Sequence, residues 1–143
     1  MPYEFLEDVA TADIAFRAQG HDLNELFTAA ADATMNVMVE DLETIERRVT
    51  KSVTDEAEAE DLLLVEFLQE LIYFKDAERL LLRPVSVSVE RGDTRLRVSA
   101  TLAGERLDPA RHEQRADVKA VTYHRLEVKR TAQGWEAFVI LDI

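Results

Sequence analysis

Two aspartates stand where the hydrophobic pattern asks for something else. Asp13 lies in "TADIAF", inside or just before an apolar strand, and Asp142 lies in "FVILDI", next to the last residue. A carboxylate drawn out of water without a partner is costly, so each acid needs either a partner or solvent. If the first and last strands are neighbours, the two acids meet. The main-chain or terminal oxygen of Ile143 then lies one residue away. Hard oxygens converging with no thiol or imidazole nearby suit Ca²⁺ or Mg²⁺ rather than zinc. In the competing arrangement Asp13 caps a turn through local amides and Asp142 frays into solvent. Spacing leaves both open.

A second polar group lies in "DLLLVEFLQELIYF", a segment apolar almost all round. Glu66, Gln69, Glu70 and Tyr73 recur at i, i+3, i+4 and i+7, which makes one narrow stripe on a helix. The stripe is either the solvent face of that helix or, being narrow, a binding face. Lys119 heads "VKAVTYH" between apolar neighbours. It either snorkels to the surface, pairs with the acids or touches a phosphate.

Recognisable catalytic motifs are missing. There are only four glycines, with no Gly-rich phosphate loop, no HExxH and no GxSxG. His21, His112 and His124 are scattered and read as structural. The absence of cysteine rules out disulfides, thiol nucleophiles and Cys-ligated metal sites. With 29 acidic against 17 basic residues the formal charge is −12, which disfavours tight nucleic-acid binding by this chain alone. No apolar run is long enough to span a membrane and no signal peptide is visible, so a cytoplasmic protein is expected.

The elements that must hold these residues follow from periodicity. Residues 1–143 are expected to form one domain. "EFLEDVATADIAFRAQG" reads as one or two strands broken near Val9–Thr11. Asp22 starts a helix, with Glu25 completing a capping-box-like pair. Ile45, Val49 and Val53 alternate in a half-solvated strand, and a second helix is expected from about Glu56 to Glu78. Four strands close the chain. The first two are joined by "RGDT", a turn with glycine at positive φ, and the last two turn around Ala132–Gly134. "LDPARH" between the pairs reads as a proline turn. The fold class is α+β, a two-layer sandwich of two helices on a mixed, largely antiparallel sheet.

The spaced segments "YEFL…TADIAFRAQG", "DLNELFTAAADATMNVMV", "EDLLLVEFLQELIYF", "LDPARH…VKAVTYHRLEV" and "GWEAFVILDI" resemble the archease family along nearly the whole chain. The resemblance implies an accessory protein, not an independent enzyme. It would activate an RtcB-type RNA ligase in tRNA splicing or RNA repair by promoting guanylylation and multiple turnover. It implies a divalent-cation site, Ca²⁺ or Mg²⁺, at Asp13 and Asp142, with Ile143 contributing an oxygen. Glu70 and Lys119 match positions implicated in activation. One departure is Ala10, where the family pattern has a histidine; Glu7 or Asp8 could contribute instead. Two other functions fit the residues less well: a metal-dependent phosphohydrolase using Asp13, Asp142, Glu70 and Lys119, and a chaperone-like binding module.

Overall fold

Strand and helix alternate with the period of the apolar residues. A computed structural model of the chain describes residues 2–6 and 13–143. Its elements are β1 (Tyr3–Leu6), β2 (Asp13–Gly20), α1 (Leu23–Met38), a 3₁₀ turn (Leu42–Thr44), β3 (Val49–Ala57), α2 (Glu60–Glu78), β4 (Leu80–Arg91), β5 (Leu96–Arg106), β6 (Ala120–Thr131) and β7 (Gly134–Asp142). The fold is α+β, with two helices packed against antiparallel sheets. The strands divide into two sheets, ordered β1-β2-β7-β6 and β3-β5-β4, rather than forming one mixed sheet. Each helix touches both: α1 packs on β2 and β4, and α2 on β3, β4 and β6. The apolar faces of two sheets are thereby buried by one pair of helices.

α1 begins as its sequence dictates. The Asp22 side chain accepts from the Glu25 amide at 2.9 Å, while the Glu25 carboxylate accepts from the amide of His21, one residue before the cap, at 3.0 Å. A run of buried alanines (Ala29, Ala30, Ala31 and Ala33) keeps α1 close to its neighbours.

Three expectations shift. α2 starts at Glu60, not near Glu56, because β3 stays paired with β5 through Glu56↔Arg97 and Ala57↔Leu96. Ile45 is buried just after the 3₁₀ turn, and the strand opens only at Val49, which is exposed. In the "RGDT" turn Gly92 does not adopt positive φ; among the described glycines only Gly134 does, at 139°. Gly92 is favoured by closeness instead. Its amide donates to the Arg95 carbonyl at 2.7 Å, and a Cβ would lie 3.1 Å from that oxygen.

The segment after β5 is more than a proline turn. Glu105 and His112 are both buried, and His112 Nε2 faces the Glu105 carboxylate at 3.0 Å. His112 Nδ1 accepts from the Asp108 amide at 2.9 Å, so the ring proton lies on Nε2 and is donated to Glu105. Burial alone would push the Glu105 carboxyl up. Hydrogen bonds from Arg111, the Glu46 amide and His112 outweigh it and bring it down to about 2. This cluster fastens the start of the loop that leads to Lys119.

Candidate functional site

β2 and β7 run antiparallel from Asp13↔Asp142 to Gly20↔Trp135. The first and last long strands are therefore neighbours, and the two out-of-pattern aspartates are direct cross-strand partners. Such partners share a face with Cβ atoms about 5 Å apart, and like charges so placed repel. Alternation explains why they are there. Phe16 and Ala18 on β2, and Val139 and Leu141 on β7, point into the core, whereas Asp13 and Asp142 lie on the opposite face, half-buried. On its other side Asp142 opposes Ala120 of β6, whose methyl leaves room beside the carboxylates. Ile143 packs its side chain against the core, which holds the main chain beside Asp142. The Lys119 amide donates to the Asp142 carbonyl at 2.8 Å, and the Lys119 side chain is exposed.

The donor chemistry suits a hard cation. Two carboxylates with a main-chain oxygen nearby and no sulfur or imidazole match Ca²⁺ or Mg²⁺, and a cation would relieve the repulsion of a like-charged pair. Among the described residues no cluster of three or more His, Cys, Asp or Glu could hold a metal by itself. Further ligands would have to be main-chain oxygens, water or a partner's groups. Glu7, Asp8 and Ala10 lie outside the described residues.

The α2 stripe is split. Glu66 is exposed and Tyr73 is 58% exposed, as a solvent-facing stripe requires. Gln69 is exposed too, but its side-chain oxygen accepts from the Val121 amide at 2.8 Å, tying α2 to β6. Glu70 is half-buried, and its carboxyl is pushed up first by burial and then by Glu66. It also acts on Asp55, which faces α2 from β3 between the buried Val53 and Ala57. Burial, then Glu70 and Glu66, push the Asp55 carboxyl up to about 6. One of its oxygens, Oδ2, is buried with no hydrogen-bond partner. The acids thus form two groups, Asp13–Asp142 on one sheet and Asp55–Glu66–Glu70 at the α2–β3 contact. Asp55 had a signal in the sequence: "VTDEA" places it on the same alternation as Val53 and Ala57.

Residues 3–143 match the model of the archease protein family (MTH1598/TM1083). The chain belongs to the archease family. An archease of Pyrococcus abyssi is 37% identical over 134 residues, covering 93% of this chain and 94% of that protein. One of Methanothermobacter thermautotrophicus is 36% identical over 141 residues, 99% and 98% of the two chains. The solution structure of Methanobacterium thermoautotrophicum protein 1598 superposes with a TM-score of 0.85 at 36% identity, covering 99% of each chain. A crystal structure from Thermotoga maritima, described as an archease and "possible chaperone", shares the fold with a TM-score of 0.64 at 21% identity over 94% and 93% of the chains. The archease match spans Asp13, Glu70, Lys119, Asp142 and Ile143. No helix among the described residues is long and apolar enough to cross a membrane.

Proposed function

We propose that this archease is a metal-binding accessory protein that activates an RtcB-type RNA ligase by promoting its guanylylation and multiple turnover. The observation that carries the reading is the direct cross-strand opposition of Asp13 and Asp142, with the backbone of Lys119 bonded to Asp142. An isolated protein gains nothing in stability from two facing carboxylates. Such a pair is useful where a cation or a partner's positive group is to be received. A bound divalent cation, Ca²⁺ or Mg²⁺, would supply charge neutralisation for phosphate oxygens. Asp13, Asp142 and an oxygen of Ile143 hold that position. The exposed Lys119 ammonium, immediately before β6, is positioned to meet a phosphate or an acidic group of the ligase. Glu70, half-buried on α2, contributes to the partner-facing side of the helix rather than to the cation. The ligase keeps the covalent chemistry and the RNA-binding surface, which agrees with a charge of −12 on the accessory chain.

The test uses purified ligase with the wild-type chain and with Asp13→Ala, at substoichiometric amounts. Wild type should raise guanylylation and turnover. Asp13→Ala should lose Ca²⁺ binding by calorimetry and lose stimulation, with an unchanged circular dichroism spectrum. Stimulation that survives loss of the carboxylate would refute the cation site, and phosphate release without ligase would favour a hydrolase.

A further inference from the structure

The backbone on both sides of Lys119 is held by side chains from one helix. Lys75, in the last turn of α2, donates from Nζ to the Val118 carbonyl at 2.7 Å. Six residues earlier on α2, Gln69 accepts from the Val121 amide at 2.8 Å. Between these two anchors the Lys119 amide donates to Asp142, and Ala120 pairs with Asp142 across the β6–β7 ladder. β6 is an edge strand, so its outward backbone groups would otherwise be left to water.

Lys75 is an unusual residue for this task. Its side chain is only 11% exposed, and its ammonium is enclosed by Asp117, Asp76 at 2.8 Å and the Val118 carbonyl. Burial opposes the charge, but hydrogen bonds to Asp117 and Asp76 outweigh it and raise its pKa. A lysine that served only the α2 dipole could do so from solvent. An apolar residue of the same length would fill the space without desolvating an ammonium. Turning the charge inward gives a directed bond to a carbonyl one residue before Lys119.

We propose that Lys75 and Gln69 are positioning residues, a two-point clamp by which α2 sets Lys119 against Asp142. α2 also carries Glu70, so the clamp fixes Lys119 and Asp142 relative to the helix that bears Glu70. The value of that surface for activation rests on the function proposed above; the clamp itself does not.

The experiment is amide hydrogen exchange on the full chain, with no ligase present. In Lys75→Met the Lys119 amide should exchange about tenfold faster, the loss of one hydrogen bond to a charged group. Amides of β5 such as Val98 and Leu102 should be unchanged, and Lys75→Arg, which keeps the donors, should restore most of the protection. Gln69→Ala tests the other anchor, and does so even where Lys75→Met fails to fold. Unchanged Lys119 exchange in these variants overturns the clamp whatever the ligase does. So does an equal acceleration in β5, which would make both residues mere contributors to global stability. With the clamp loosened, stimulation of guanylylation should fall for Lys75→Met and recover for Lys75→Arg.

Discussion

Replacing Asp55 by asparagine should make the protein more stable at neutral pH, and the gain should vanish in mild acid. The Asp55 carboxyl is pushed from an ordinary 3.8 to about 6 by burial and by Glu70 and Glu66. The folded state therefore binds a proton more tightly than the unfolded chain does. Between about pH 4 and 6 the native state holds the extra proton, so wild-type stability falls as pH rises through this window. Above it the full penalty of a buried, repelled carboxylate is present. Each pKa unit corresponds to about 1.4 kcal/mol, which sets a ceiling of roughly 3 kcal/mol. Asp55 is only partly buried and its neighbour Glu66 is in solvent, so screening lowers the expected gain to about 1–1.5 kcal/mol. Urea unfolding of wild type and Asp55→Asn at intervals from pH 4 to 8 measures it. The difference between the two proteins should grow from near zero at pH 4 to its plateau near pH 7. The subtraction removes the contribution of the other acids on this highly charged chain. A difference that is flat with pH, or a variant no more stable than wild type at pH 7, would refute the reasoning.

Glu105→Gln should behave in the opposite sense, costing ~3 kcal/mol at pH 7 because Arg111 and Arg48 lose a buried counter-charge and His112 loses its carboxylate acceptor. In wild type that contribution is fully present above the ordinary glutamate value of 4.5 and is lost as pH falls towards about 2. The variant's thermal midpoint should therefore converge on wild type in acid. Lys119→Ala should change stability by no more than about 0.5 kcal/mol, since its side chain is exposed, and should leave Ca²⁺ affinity intact while lowering ligase stimulation. Calorimetry, thermal melts and a guanylylation assay on the same preparation check all three parts.

Period and chemistry carried the sequence reading furthest where side chains answer to their own strand or helix. Asp22 and Glu25 announced the start of α1, and "EFLEDVATADIAFRAQG" read as one or two strands, which are β1 and β2. The misfit of Asp13 and Asp142 was legible for the same reason, since each breaks a local pattern. The two acids meet only if the first and last strands are neighbours, a condition that spacing left open and the register of β2 on β7 fulfils. What local pattern could not reveal were contacts between distant segments. The start of α2 was placed too early because Glu56 and Ala57 suit a helix on their own and stay extended only through β5. Glu70 was a candidate on spacing, but only the packing of α2 on β3 shows that its acidic neighbours are Asp55 and Glu66. Likewise "LDPARH" reads locally as a turn. The burial of His112 against Glu105 depends on a strand that the turn itself does not contain.

The pairing of Asp13 with Asp142 also has a consequence for the order of folding. Aside from β6, the major contacts of β7 reach back to β2 and α1, so the two acids meet only across almost the full described length. Contacts of such separation carry a large loop-closure cost and form slowly and late. During synthesis α1, β3, α2, β4 and β5 can assemble while β2 still lacks β7 beside it. The facing carboxylates are then brought together by the closing of β7 into the sheet, and a chain interrupted before that strand has the helices and most of the core but no Asp13–Asp142 pair. On the function proposed above, competence to receive a cation would follow completion of the fold, and unfinished molecules would not engage what the finished surface is built to meet.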